Sequence, residues 1–106
     1  MILVLGGAFQ GKEDFARARF GEEREYLVGI QDEFRLNRNK VISGIEESLK
    51  NDPDMIIIAN EIGSGIVPME KEERIYREEY GRYLCELAKK AEEVWRVFAG
   101  IGTRIK

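Results

Sequence analysis

The chain has 106 residues, 17 Lys and Arg against 20 Asp and Glu, no histidine and one cysteine. The net charge of −3 lacks the basic excess of a nucleic-acid binder, so nucleic acid is not an expected partner. The missing histidine excludes His-based catalysis and His–metal sites, and Cys85 alone excludes an intrachain disulfide.

Met1-Ile2-Leu3-Val4-Leu5 is too short for a signal peptide, and no stretch reads as a membrane span. The expectation is a cytoplasmic, single-domain protein with no membrane partner. Ile2 to Leu5, closed by Gly6-Gly7, reads as a buried parallel strand. A helix is expected from residue 11 or 12 to about Phe20, with Gly21 as its C-cap.

Residues 26–30 read as a second strand, and the polar residues 31–37 as loop. Residues 38–50 carry Val41, Ile42, Ile45 and Leu49 on one helical face. Residues 51–54 break that helix. Residues 55–59 are the strongest strand signal and are expected at the sheet centre, followed by a glycine-containing loop over 60–68. A long helix is expected over about 70–91. Its apolar face carries Tyr76, Tyr80, Tyr83, Leu84, Leu87 and Ala91, and Cys85 is expected as a small buried hydrophobe among them. Residues 94–98 read as a fourth strand, 100–102 as a turn and 103–105 as an edge strand.

Strands alternating with helices predict an α/β fold: a P-loop-type three-layer domain with a mainly parallel sheet of four to five strands. Ligands in such sheets bind beyond the carboxyl ends of the strands. Residues 6–13, Asp32, residues 60–68 and residues 100–102 are therefore expected as neighbours.

The first of these loops is Gly6-Gly7-Ala8-Phe9-Gln10-Gly11-Lys12-Glu13. It fits the phosphate-binding pattern G-x-x-x-x-G-K, with Glu13 where Ser or Thr follows the lysine. The candidate nucleotide site is Gly6, Gly7, Ala8, Gly11, Lys12 and Glu13. Glycines let backbone N–H groups face phosphate oxygens, the helix N-terminus favours an anion, and Lys12 is the candidate catalytic cation. Glu13 replaces a magnesium-binding hydroxyl by a carboxylate. At about 5 Å and an effective dielectric near 20 it would repel a phosphate charge by roughly 3 kcal/mol. Asp32 and Glu61 are the nearest further acids, but no apolar run ends directly in Asp, so no metal ligand is assigned.

The second motif is Asn60-Glu61-Ile62-Gly63-Ser64-Gly65-Ile66-Val67-Pro68. With Arg77, Gly81, Arg82, Ala91, Val94, Trp95 and the C-terminal Gly100-Ile101-Gly102, it resembles the bifunctional adenosylcobinamide kinase/adenosylcobinamide-phosphate guanylyltransferases of cobalamin synthesis. The first strand and its glycine loop match as well. The resemblance implies a nucleotide site on the first loop, ATP or GTP with Mg2+ if the kinase is active, a cobinamide-type acceptor and a homo-oligomer. It suggests Asn60, Glu61, Gly63 and Gly65 as substrate residues, with Arg77 or Arg82 facing the phosphates.

The family transfers GMP through a guanylylated histidine, which this chain lacks. Phe9, Gln10 and Glu13 depart from the family's loop, Leu84 replaces an Asn of its long helix, and the middle segment is shorter. Three readings follow. The first is a shortened relative that binds a nucleotide or other phosphate ligand at Gly6–Lys12, with weak or lost kinase activity and no guanylyltransferase activity. The second is a non-catalytic pseudoenzyme that serves as a binding or regulatory subunit. The third is a small kinase with a different acceptor, using Glu13, Asp32 or Glu61 for metal.

Overall fold

The computed structural model describes residues 1–61 and 70–106. The elements run β1 (Ile2–Gly6), α1 (Lys12–Phe20), β2 (Tyr26–Val28), α2 (Ile30–Leu36), α3 (Arg38–Asn51), β3 (Ile56–Asn60), α4 (Lys71–Lys90), β4 (Glu93–Phe98) and β5 (Ile101–Arg104). The strand order is β2-β3-β1-β4-β5. The first four strands are parallel, and β5 pairs antiparallel with β4. The α/β class and the mainly parallel five-strand sheet agree with the sequence.

Two buried clusters make the three layers. On one face, Leu3, Leu5, Ile57 and Val94 pack against Phe34 of α2, Val41 and Ile45 of α3, and Tyr80, Tyr83 and Leu87 of α4. On the other, Val4, Ile58 and Val97 pack against Ala16 of α1, flanked by Phe15, Phe20 and Trp95. Alternate residues of β1 and β3 serve opposite clusters, because successive strand side chains point to opposite faces. Both faces are covered, which is why these strands read as unbroken apolar runs.

Several expectations change. Residues 31–37 are not loop. They belong mostly to α2, whose buried residues Ile30 and Phe34 sit one helical turn apart. The strand expected over 26–30 ends at Val28, and Gly29 adopts φ 80° to start α2. β3 is interior, but β1 holds the middle position. The hairpin turn is at Ala99 and Gly100, with φ 50° and 76°. Positive φ at both residues is what a two-residue type I′ connection needs. β5 consequently begins at Ile101.

Cys85 is exposed, because it lies on the side of α4 away from Tyr80, Tyr83 and Leu87. Of the α4 tyrosines, Tyr80 and Tyr83 are buried and Tyr76 is half-buried, as the apolar face predicts. Burial raises the phenol pKa of both buried rings, Tyr83 to about 12. None of the described helices is long and apolar enough to cross a membrane.

Candidate phosphate site

β1 leads through α1 to β2 on one side, while β3 leads through α4 to β4 on the other. The ends of β1 and β3 thus form the crevice where strand order reverses, the ligand position of open α/β sheets. A cavity of about 300 Å3 lies there. Its lining includes Phe9, Gly11, Lys12, Glu13, Val28 and Asn60.

Backbone hydrogen bonds draw the loops together. Glu61 N donates to Gly6 O at 2.8 Å, and Gly100 N donates to Gln10 O at 2.8 Å. The predicted neighbourhood of residues 6–13, Asn60 and the β4–β5 turn is therefore present. Asp32 is exposed in the first turn of α2, and its neighbour Gln31 lines the cavity instead.

Gly6 closes β1 in a tight space. A Cβ there would lie 2.5 Å from the Val97 carbonyl oxygen and 3.1 Å from Cγ and Cδ of Lys12. Gly7 and Ala8 follow in the turn. Gly11 caps α1 at φ 80°, with no side-chain cap on the helix N-terminus. The leading N–H groups of α1 thus gain no partner from the cap side chain.

Among the described residues, Lys12 is the one buried charged side chain, at 8% exposure. Its Nζ curls back to donate to Gly7 O at 2.7 Å. Burial lowers its pKa, and the negative charge of Glu61 partly offsets that. A cation withdrawn from water beside a cavity is poised to gain from an anion, since the attraction grows as the local dielectric falls.

Glu13 borders the same cavity and is paired within its own helix. Its Oε1 accepts from Arg17 Nε and Nη2 at 3.2 and 3.1 Å. Arg17 also pairs with Glu22 at 3.1 Å. The guanidinium offsets the charge that the sequence sets against a phosphate, so the roughly 3 kcal/mol repulsion is an upper bound.

Asn60 and Glu61 diverge. Asn60 lines the cavity beside Lys12, whereas Glu61 lines a separate groove with Leu5, Gly81, Leu84, Cys85, Ala88 and Arg96. Glu61 pairs there with Arg96 at 3.3 Å. Gly63 and Gly65 lie outside the described residues. Arg82 pairs with Glu78 on the exposed face of α4, and Arg77 lies on the same helix.

Two supports escape the sequence reading. Tyr80 Oη donates to Asn60 O at 2.7 Å, and Tyr76 Oη donates to Gln31 O at 2.6 Å. Phe34 packs against both rings. The α4 tyrosines therefore brace the carbonyls of two residues that line the cavity, Gln31 and Asn60; their spacing of four residues is the available signal. Gln10 is the second support. Its Oε1 accepts from Ala99 N at 2.7 Å, beside the backbone bond to Gly100.

Phosphate fits this cradle: a glycine loop, an uncapped helix start and a buried ammonium converge on one cavity. The acids fit a chain-held magnesium poorly. Among the described residues no group of three or more His, Cys, Asp or Glu side chains can hold a metal, and Glu13 is committed to Arg17.

The family model for cobinamide kinase / cobinamide phosphate guanyltransferase matches residues 25–105. That stretch includes Asn60 and Glu61 and starts after the glycine loop. Two curated relatives are the bifunctional adenosylcobalamin biosynthesis protein CobU of Escherichia coli (strain K12) and that of Salmonella typhimurium (strain LT2). Each is 44% identical over 52 residues, covering 49% of this chain and 29% of the relative. The matched part is thus under a third of the length of those relatives. With most of the chain matched, this α/β protein belongs to the cobinamide kinase / cobinamide phosphate guanyltransferase family.

Proposed function

We propose that the chain binds the phosphates of a nucleotide, ATP or GTP, on residues 6–12, as a cobinamide-kinase-like protein related to cobalamin biosynthesis. Lys12 supplies the charge, and the amides of the Gly7–Gly11 loop and the start of α1 supply directional donors. The observation that carries this reading is the buried Lys12 ammonium at the mouth of the cavity. Asn60 borders the same cavity and is the candidate acceptor contact; Glu61, with Gly63 and Gly65, is assigned to the acceptor on the resemblance alone.

Kinase activity is weak or lost and guanylyl transfer absent. Phosphoryl transfer rests on positioning and on charge neutralisation by metal, and the hydroxyl after Lys12 is replaced by Glu13. The chain has no histidine to carry GMP. A non-catalytic binding or regulatory subunit is the second reading, favoured by the Lys12 Nζ contact with Gly7 O, which fills one donor position of the ammonium. We further propose a cytoplasmic single-domain protein that forms homo-oligomers. The exposed Phe98 and Ile101, paired across β4 and β5, support self-association.

Isothermal titration with ATP and GTP, with and without Mg2+, tests the site. Micromolar to sub-millimolar binding is expected, and no heat at millimolar nucleotide overturns the reading. Label transfer from the γ-phosphate to cobinamide at the rate of an active kinase would refute the loss of activity.

A further inference from the structure

Phe9 stands out in the phosphate loop. The residue is fully exposed, and its backbone sits at φ 60°. Neither property suits a residue chosen for stability. An exposed ring gains nothing from burial, and a non-glycine residue in the left-handed region is held there at a cost. The surroundings impose the conformation. Gln10, next in the chain, is fastened to the β4–β5 turn by its side chain and its own carbonyl, through Ala99 N at 2.7 Å and Gly100 N at 2.8 Å. Phe9 lines the same cavity as Lys12, and Val28 faces it with an exposed apolar side chain. At about 300 Å3 the cavity is at the lower end of small-ligand sites, so a nucleotide with its phosphates on Lys12 leaves its ring at the rim.

We propose that Phe9 is the stacking platform for the nucleobase, with Val28 as the apolar wall and Gln10 as the residue that positions Phe9. The proposal rests on the phosphate-site reading above. It assigns the ring contact to a position where the chain departs from its family. Aromatic stacking is tolerant of base identity, because every base has a π face. The site should therefore discriminate little between ATP and GTP.

The test compares inorganic tripolyphosphate, ATP and GTP by titration calorimetry on the full chain. The unmodified protein is expected to bind both nucleotides about tenfold more tightly than tripolyphosphate. Phe9→Ala should remove that advantage, weakening nucleotide about tenfold more than it weakens tripolyphosphate. Phe9→Gly should do the same while raising the melting temperature, since glycine accepts φ 60° without strain; a purely structural role would not separate the two readouts. Gln10→Ala should weaken nucleotide more than tripolyphosphate. Unchanged nucleotide preference in Phe9→Ala, or equal affinity for all three ligands in the unmodified chain, overturns the stacking assignment alone. Failure of the unmodified chain to bind tripolyphosphate or nucleotide overturns the phosphate site and the stacking assignment with it.

Discussion

Gly6→Ala tests how closely the sheet and the site are joined. The added Cβ would lie 2.5 Å from the Val97 carbonyl oxygen, well inside contact distance, and 3.1 Å from two Lys12 methylenes. The Lys12 chain can yield by changing rotamer, but the carbonyl belongs to β4, whose register with β1 pairs Leu5 with Arg96. Relief requires the end of β1 to separate from β4 by about an ångström. Overpacking of this kind costs about 1–3 kcal/mol. For a chain near this size that lowers the melting temperature by roughly 4–8 °C per kcal/mol. Urea unfolding followed by circular dichroism gives the stability change, and calorimetric titration with tripolyphosphate gives the site. We expect a loss of about 2 kcal/mol and at least fivefold weaker binding. Stability within 0.5 kcal/mol of the parent, as an approximate limit for a neutral surface change, would refute the close-approach argument.

Other substitutions probe single contacts. Lys12→Met should abolish tripolyphosphate binding with little loss of stability, because an apolar side chain of similar length replaces a desolvated ammonium. The pH dependence of that variant carries a sign. The folded-state pKa of Lys12 is lowered, so the unfolded chain binds more protons between that pKa and 10.5, and the Lys12 contribution to stability rises with pH there; Lys12→Met removes that rise in urea titrations at stepped pH. Tyr83 acts in the opposite sense. With its pKa pushed up to about 12, its contribution is fully present below pH 10 and is lost as pH rises through 12, so Tyr83→Phe should flatten the alkaline limb of the stability curve. Tyr80→Phe deprives the Asn60 carbonyl of its donor and should cost about 1–2 kcal/mol in the same assay. Glu13→Ser breaks an exposed pair with Arg17, worth under about 1 kcal/mol. It should strengthen Mg-nucleotide binding; unchanged affinity would remove Glu13 from the proposed account of weakened kinase activity.

Much of the scaffold was readable because it obeys one strong rule. Ile2 to Leu5 and Ile56 to Ala59 must be apolar on both faces, and that forces continuous runs. α2 was not readable as a helix. It buries only Ile30 and Phe34, too few residues to establish a period within a polar stretch. The place of Gly11 and Lys12 at the head of α1 was legible from spacing. The pairing of Glu13 was not, because its partner Arg17 is an ordinary helix neighbour whose competition with Lys12 depends on geometry. Asn60 and Glu61 read as one motif, yet strand alternation sends them to different cavities. Tyr76 and Tyr80 read as core residues, and their rings are buried or half-buried. Their hydroxyls carry the positioning role, and hydrophobic periodicity does not record where a hydroxyl ends.

The bonds from Gln10 to Ala99 and Gly100 also bear on the order of assembly. They join positions near opposite ends of the chain, a contact of long sequence separation of the kind that slows folding. A nascent chain can form β1 and α1 early, yet it cannot fasten the loop until the β4–β5 hairpin has been made and docked. Ligand competence should consequently be among the last properties gained in refolding. Shortened chains that stop before residue 99 should keep helical signal while failing to bind phosphate.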